Sequence, residues 1–290
     1  MRISVVIASK DRARYVERAL ASLGQQIGAP SFEVIVVDNH STDDTRAVVE
    51  AAQAACRFPI HYLYEDEPNR GKARNRGIAI AQGYIVLFVD DDVQAPPGLL
   101  AAHEAAHHAP NLVVNGPILN VAGYDSKPKP TMANYSRAFL CTCNVSIPKH
   151  ALDAVGGFDE EFRLYGWEDT ELGVRLREHG LRWAFAWDAY IWHIKPPAEN
   201  TLEVETLKAL EKAKMASRFV KKQPSARARM AAGAYGINLV RGKYLLPDRL
   251  LALYAGIAIT PGAPEFVRAF ARSQFLDGMY TRELIRALDE

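Results

Sequence analysis

Residues 84–93 read YIVLFVDDDV. The first six form an apolar run of strand length, rich in residues that suit a strand buried on both faces. Three carboxylates follow without a break: Asp90, Asp91 and Asp92. They repel one another, and no cation stands beside them in sequence. In an extended segment, residues 90 and 92 point one way and 91 the other. A divalent ion with hard oxygen ligands resolves the repulsion, and Mg²⁺ or Mn²⁺ in such a place takes phosphate oxygens as further partners. A solvated acidic turn that caps the helix after Pro96 is the alternative.

Working outward, strands and helices alternate. Ile3–Ala8 and residues 32–37, FEVIVV, read as buried strands, and His61–Tyr64 as a short one. Helical spacing covers Ala13–Gln25, a stretch from Ser41 to Ala55, Gly71–Gln82 and Pro96–His108, with Ser41 expected to cap its helix. This pattern predicts an α/β fold with a mainly parallel, Rossmann-like central sheet flanked by helices. Leu112–Asn120, Cys141–Pro148 and Arg182–His193 read as later strands, with a polar, proline-bearing loop at Ala122–Pro130. From Leu202 onward only helices are expected, giving a first domain over 1–200 and a C-terminal helical region over 201–290.

Ligands of open parallel sheets bind beyond the carboxyl ends of the strands. Three early strands end in polar residues: Ser9-Lys10-Asp11-Arg12, Asp38-Asn39-His40-Ser41 and the aspartate trio. Asp38 could accept N–H bonds from a base. Arg74 follows in a basic stretch. A second cluster is Gly156-Gly157-Phe158-Asp159-Glu160 with Gly166-Trp167-Glu168-Asp169. Its two carboxylates open a helix, where the dipole favours their ionised form, and an aromatic wall beside them suits a general base. His193 ends a tryptophan-rich strand and is a candidate metal ligand.

A net charge of +1 gives no general electrostatic attraction to nucleic acid, and none is expected as a partner. The three cysteines make no even disulfide framework, and Cys141-Thr142-Cys143 lacks the spacing of a redox or zinc motif, so reduced thiols in a core strand are expected. No apolar run reaches the roughly 18 residues of a membrane span, and the N-terminus lacks a signal-peptide cleavage pattern.

Taken together and in order, these segments resemble the family-two glycosyltransferases of the GT-A fold, over roughly residues 2–195. The resemblance rests on SVVIASKDR, VIVVDNHSTDDT, NRGKARNRGIAIAQGYIVLFVDDDVQAPPGLL and GGFDEEFRLYGWEDTELGVRL. It implies a nucleoside-diphosphate sugar donor, with UDP-sugars favoured over GDP- or dTDP-sugars, and Mn²⁺ or Mg²⁺. Asp92 is then a metal ligand, with Asp90 near the ribose or metal and His193 completing the shell. Ala8, Ser9, Asp11, Asp38, Asn39, Arg74, Asp90 and Asp91 fall to the donor. Asp169 matches the base, and Glu168 with Trp167 the acceptor side. Lys10 stands where relatives often carry an aromatic ring.

The expected chemistry is inverting transfer to an acceptor hydroxyl of a carbohydrate, lipid-linked or small molecule. A cytoplasmic protein is expected, with the C-terminal helices available for peripheral contact at the inner membrane face or for a homodimer. Lys214, Arg218, Lys221 and Lys222 share one side of a helix and would suit the membrane. The rival readings are a sugar nucleotidyltransferase and an inactive nucleotide-sugar-binding or scaffold protein.

Overall fold

The computed structural model describes residues 1–196 and 201–290. They divide into two compact units, one of Met1–Arg163 with Glu168–Pro196, the other of Leu164–Trp167 with the segment that runs to Glu290.

The first unit is built on β1 (Ile3–Ser9), β2 (Phe32–Asn39), β3 (Ile60–Glu65), β4 (Ile85–Val89), β6 (Leu112–Asn115), β8 (Asn144–Pro148) and β9 (Arg182–Phe185), in the order β3-β2-β1-β4-β8-β6-β9. β8 runs antiparallel to both neighbours, and the other pairs are parallel. The period of two sends Ile3, Val5 and Ile7 into one core with Val34, Val36 and Leu87, and sends Val6 into the other with Ile35, Val37, Val86 and Phe88. Helices α1 (Ala13–Leu23), α2 (Thr45–Ala55), α3 (Arg70–Ile80), α4 (Leu99–Ala106), α5 (Lys149–Val155) and α6 (Glu168–Glu178) belong to this unit. A smaller sheet orders β5 (Val93–Gln94), β10 (Ile191–Ile194) and β7 (Ile118–Val121) as β5-β10-β7.

Several expected elements are shorter or split. Residues 112–120 break at Gly116-Pro117, so β6 joins the large sheet and β7 the small one. A Cβ on Gly116 would lie 1.7 Å from the Ala189 carbonyl oxygen, so only glycine lets the two backbones pass. Residues 182–193 likewise divide into β9 and β10 around a turn closed by the Ala189 amide on the Ala186 carbonyl. β8 begins at Asn144, which leaves Cys141 and Cys143 ahead of the strand instead of in it; both thiols, with that of Cys56, are free. α4 starts at Leu99 because residues 96–99 form a turn. Ser41 does not cap α2: its hydroxyl accepts the Asp11 amide, and Asp43 takes the Thr45 amide and hydroxyl. The 122–130 loop is pinned by the Trp192 indole N–H on the Pro128 carbonyl and by Lys129 on the Tyr190 hydroxyl.

A polar network lies inside the first unit. His103, fully buried, sits between the Ser146 hydroxyl (2.8 Å) and the Asn144 amide oxygen (2.9 Å), and His107 also reaches Ser146 (2.7 Å). Burial pushes His103 down to about 4 and His107 to about 3. Both imidazoles are neutral in the fold, whereas the unfolded chain takes up protons below about pH 6.5. Stability is therefore full above that value and falls as pH drops toward 4. Denaturant unfolding at pH 7 and pH 4.5 should differ by roughly 2–3 kcal/mol from His103 alone, with its ring resonances still untitrated at pH 5.

The second unit is helical: α7 (Leu202–Lys222), α8 (Ala226–Ala231), α9 (Gly236–Val240) running into a π-helical turn, α10 (Asp248–Ile259) and α11 (Glu265–Asp289). No described helix is long and apolar enough to cross a membrane. The basic side of α7 is not a free face. Lys214 pairs with Glu283 and Lys221 donates to the Ala287 carbonyl, both on α11, while Arg218 and Lys222 are also engaged.

Candidate active site

The ends of β1 and β2 leave the sheet in register, with Ser9 beside Asp38. Asp11 takes a left-handed backbone (φ 52°), and its carboxylate accepts the Thr42 amide (2.7 Å) and hydroxyl (3.0 Å). The two loops are thereby locked together. Asp38 is 2% exposed and accepts the Ser41 amide (2.8 Å) and the Tyr62 hydroxyl (2.7 Å). Asn39 receives the Asn69 amide, and Asn69 in turn caps α3. Ala8 lies against the core. Asp11, Asp38 and Asn39 thus have structural partners at the rim where they were expected to meet a nucleotide.

The three aspartates follow the end of β4, where the chain leaves the strand and turns, and Asp91 and Asp92 share Arg12. Asp91 turns inward, accepts the Ser9 hydroxyl at 2.6 Å and faces Arg12; burial pushes its carboxyl up to about 7. Asp92 is 4% exposed. One oxygen takes Arg12 (2.7 Å) and Lys195 (2.9 Å), while the other lies 2.9 Å from His193 Nε2. Burial alone would raise Asp92, but His193 and then Lys195 outweigh it and hold the group well below the usual carboxylate range. His193 reaches this place because β10 pairs with β5, directly after the trio, and the Ile194 amide binds the Asp92 carbonyl. The other ring nitrogen is 2.9 Å from the Asn120 amide oxygen, which orients the imidazole.

These residues fit a divalent cation. The facing Asp92 oxygen and His193 Nε2 are buried 2.9 Å apart and have no partner besides each other. Asp90, His193 and Cys143 each bring a ligand atom within 4.8 Å of the others. Carboxylate and imidazole suit Mn²⁺ or Mg²⁺. Burial pushes the Cys143 thiol well up, so it stays protonated and is a poor ligand for a hard ion.

Beside this corner sits the second carboxylate pair. Arg74, 8% exposed, lies 3.7 Å from Asp90 and 3.4 Å from Glu168, with its guanidinium over the Phe158 ring. One cation therefore stands between the aspartate trio and the start of α6. Asp169 accepts the Thr142 amide (2.9 Å) and hydroxyl (3.1 Å) through one oxygen, while the other is buried without a partner. Burial, reinforced by the charge of Glu168 and opposed by Arg74, pushes Asp169 up to about 7. Trp167 has a left-handed backbone (φ 75°) and stacks on Phe219, 5.0 Å between centroids, inside the second unit.

The GGFDE segment acts as a latch. The Asn75 side chain donates to the Phe158 carbonyl and Glu160 carboxylate, and accepts the Phe158 amide. Gly157 has φ +67°, and a Cβ there would meet Asn75 Oδ1 at 2.4 Å. Gly157→Ala should cost about 2 kcal/mol or more, read as a lowered melting temperature, while Gly123→Ala, in open space, should not.

Some participants carried no usable sequence signal. Arg12 was visible only as part of a polar strand end. Thr142, Asn120 and Lys195 lie far in sequence from Asp169, His193 and Asp92, which they respectively contact, and Thr142 hides between two cysteines.

Comparison with known proteins agrees with this geometry. The model "Glycosyl transferase family 2" matches residues 4–158, more than half of the chain, and "N-terminal domain of galactosyltransferase" matches 126–216. Validoxylamine A glucosyltransferase of Streptomyces hygroscopicus subsp. limoneus is 31% identical, over 77% of this chain and 57% of that protein. The chain thus spans a little over half the length of that relative. Among solved structures, TarS 1–349 of Staphylococcus aureus superposes with a TM-score of 0.58 at 21% identity, over 99% of this chain and 91% of that one. The Pyrobaculum calidifontis mannosyltransferase PcManGT, in complex with GDP-Man and Mn²⁺, gives 0.68 at 17% identity, over 97% and 85%. The chain has the GT-A fold, and it belongs to glycosyl transferase family 2.

Proposed function

We propose that this protein is a metal-dependent, inverting glycosyltransferase that moves a sugar from a nucleoside-diphosphate sugar to an acceptor hydroxyl, in the synthesis of a polysaccharide, glycolipid or other glycoconjugate. The observation that carries the reading is Arg74, which touches both the aspartate trio and the Glu168–Asp169 pair. A candidate cation site and a candidate base are thereby neighbours, as a single displacement requires.

The partnerless oxygen of Asp169 takes the proton of the acceptor hydroxyl as the hydroxyl oxygen attacks the anomeric carbon. The carbon–oxygen bond to the diphosphate breaks, and its electron pair leaves with the nucleoside diphosphate. Asp90, Asp92 and His193 would hold Mn²⁺ or Mg²⁺, whose charge offsets that of the leaving diphosphate. Arg74 steadies the two carboxylates, and Thr142 fixes the rotamer of Asp169. Ala8, Ser9, Asp11, Asp38, Asn39 and Asp91 form the rim on which the nucleotide is bound, and Glu168 with Trp167 serves the acceptor.

TarS has been solved with UDP-GlcNAc and PcManGT with GDP-Man, which supports a sugar-nucleotide donor without choosing the base. A peripheral position at the inner membrane face draws support from the second unit, which exposes the apolar Ile237, Tyr244, Phe266 and Phe270 and also the basic Lys243, Arg249 and Arg268.

The test is a thermal-shift and hydrolysis screen of UDP-, GDP- and dTDP-sugars, with Mn²⁺, Mg²⁺ or EDTA. Stabilisation by one donor class only with metal, and release of its nucleoside diphosphate, is expected. Pyrophosphate release from a nucleoside triphosphate and a sugar phosphate would replace this reading with nucleotidyl transfer. Binding without hydrolysis or transfer would leave a scaffold.

A further inference from the structure

Four aromatic rings gather at the free edge of the large sheet, four strands from β1. Trp183 and Phe185 alternate along β9, and Trp187 follows just beyond its end. Tyr135 packs against all three, with centroids 6.0 Å from Trp183, 5.1 Å from Phe185 and 6.0 Å from Trp187, its ring stacked on the last. Trp187 is 38% exposed and Tyr135 40%. Large rings left in water as a group are costly unless something covers them.

The sheet places this cluster beside the chemistry. β4, β6 and β9 run the same way, since β8 is antiparallel to both β4 and β6, and β6 is parallel to β9. Their carboxyl ends, Val89, Asn115 and Phe185, therefore share one edge. β8 starts two residues after Thr142, the residue that holds Asp169. From β8 to β9 is two strand spacings, about 10 Å. Tyr135 and Thr142 also lie on one connecting segment, tied down by the Asn115 amide on the Phe139 carbonyl and by the Trp183 indole on the Ala138 carbonyl.

We infer that this platform is an acceptor subsite for a pyranose ring, one or two sugar units from the attacked carbon. A pyranose presents one face of axial C–H groups, weakly positive and apolar, that stacks on the negative face of an aromatic ring. Its rim of hydroxyls needs polar partners. Arg137 and Asp188, both exposed, adjoin the rings in sequence and carry the charged donor and acceptor groups such hydroxyls use. The inference rests on the transferase reading, since only there does a sugar acceptor arise.

The experiment is a binding titration without donor, so it does not depend on turnover. The chain has four tryptophans, and an indole-labelled sample should give four N–H resonances. Methyl pyranosides of glucose, galactose, mannose and N-acetylglucosamine are added at up to about 50 mM, with ribitol as a polyol lacking a ring face. The Trp183 and Trp187 signals should move with at least one pyranoside and not with ribitol, while Trp167 and Trp192 stay in place. Tyr135→Ala should weaken that response about tenfold; should that variant unfold, Trp187→Leu carries the same test. With an active acceptor, either change should raise KM about tenfold with kcat within about threefold. Silence from all four pyranosides, an equal response to ribitol, or shifts that track protein concentration instead of sugar would overturn the proposal. The last would mark the face as a contact between two copies. None of these outcomes touches the donor screen, so the two readings fail separately.

Discussion

Asp169→Asn should lower kcat by about 10³- to 10⁴-fold and leave donor affinity within a factor of a few. General-base catalysis contributes about 10²- to 10⁴-fold, and an amide cannot accept the acceptor's proton. The upper end is expected because the reacting oxygen of Asp169 is buried and has no other partner. The same group sets the pH profile. Burial and Glu168 lift it to about 7, so a large share is protonated at neutral pH. A base works only when ionised, so kcat should rise about tenfold per pH unit below 7 and level off above it. Thr142→Val removes a hydroxyl that donates to the ionised form, which should move the midpoint upward. Rapid-quench measurement of sugar transfer between pH 5.5 and 9 reads all three. A flat profile in the wild type, or near-normal transfer by Asp169→Asn, would remove Asp169 from the reaction.

The second large effect belongs to Asp92→Ala. Changes in groups that merely orient a ligand cost about 10- to 100-fold in metal affinity, and loss of a direct ligand should exceed that. Asp92 also neutralises Arg12 and Lys195. Without it, Lys195 loses its carboxylate while Arg12 keeps Asp91, and the corner carries one negative charge fewer, so metal-free nucleotide binding should hold or rise. The informative quantity is therefore the ratio of nucleotide affinities with and without Mn²⁺. Calorimetry should find that ratio large in the wild type and near one in Asp92→Ala. Asn120→Ala, which frees the His193 ring, should reduce Mn²⁺ binding about tenfold. A ratio unchanged in Asp92→Ala would place the metal elsewhere.

The fold was legible because its information is local. The runs at residues 3–8, 32–37 and 84–89 are apolar on both faces and become the centre of the sheet. Where one backbone had to pass another, the reading failed. The break at Gly116-Pro117 follows from the Ala189 carbonyl, which is some seventy residues away. The split of residues 182–193 has the same cause, since each half belongs to a different sheet.

The candidate site shows the same division. Order along the chain made Asp90, Asp92, Asp169, Arg74 and His193 candidates, since their residue types and spacing resemble the family pattern. It did not say what each touches. Asp91 accepts the Ser9 hydroxyl, because the chain turns directly after β4. Asp11, Asp38 and Asn39 are bound to neighbouring segments of the rim. Cys143 stands at the cation corner, although its spacing suggested only a core thiol.

The sequence by itself determined the alternation of strand and helix, the carboxylates at the strand end and the pair that opens α6. Only the tertiary structure decided that Arg74 lies between the two carboxylate groups, that Thr142 holds Asp169 and that His193 faces Asp92. The physical reason is one of range. Hydrophobic period and helix capping act over a few residues and are written into the chain. Charge pairing and burial act through space, between groups that the fold alone brings within 4 Å.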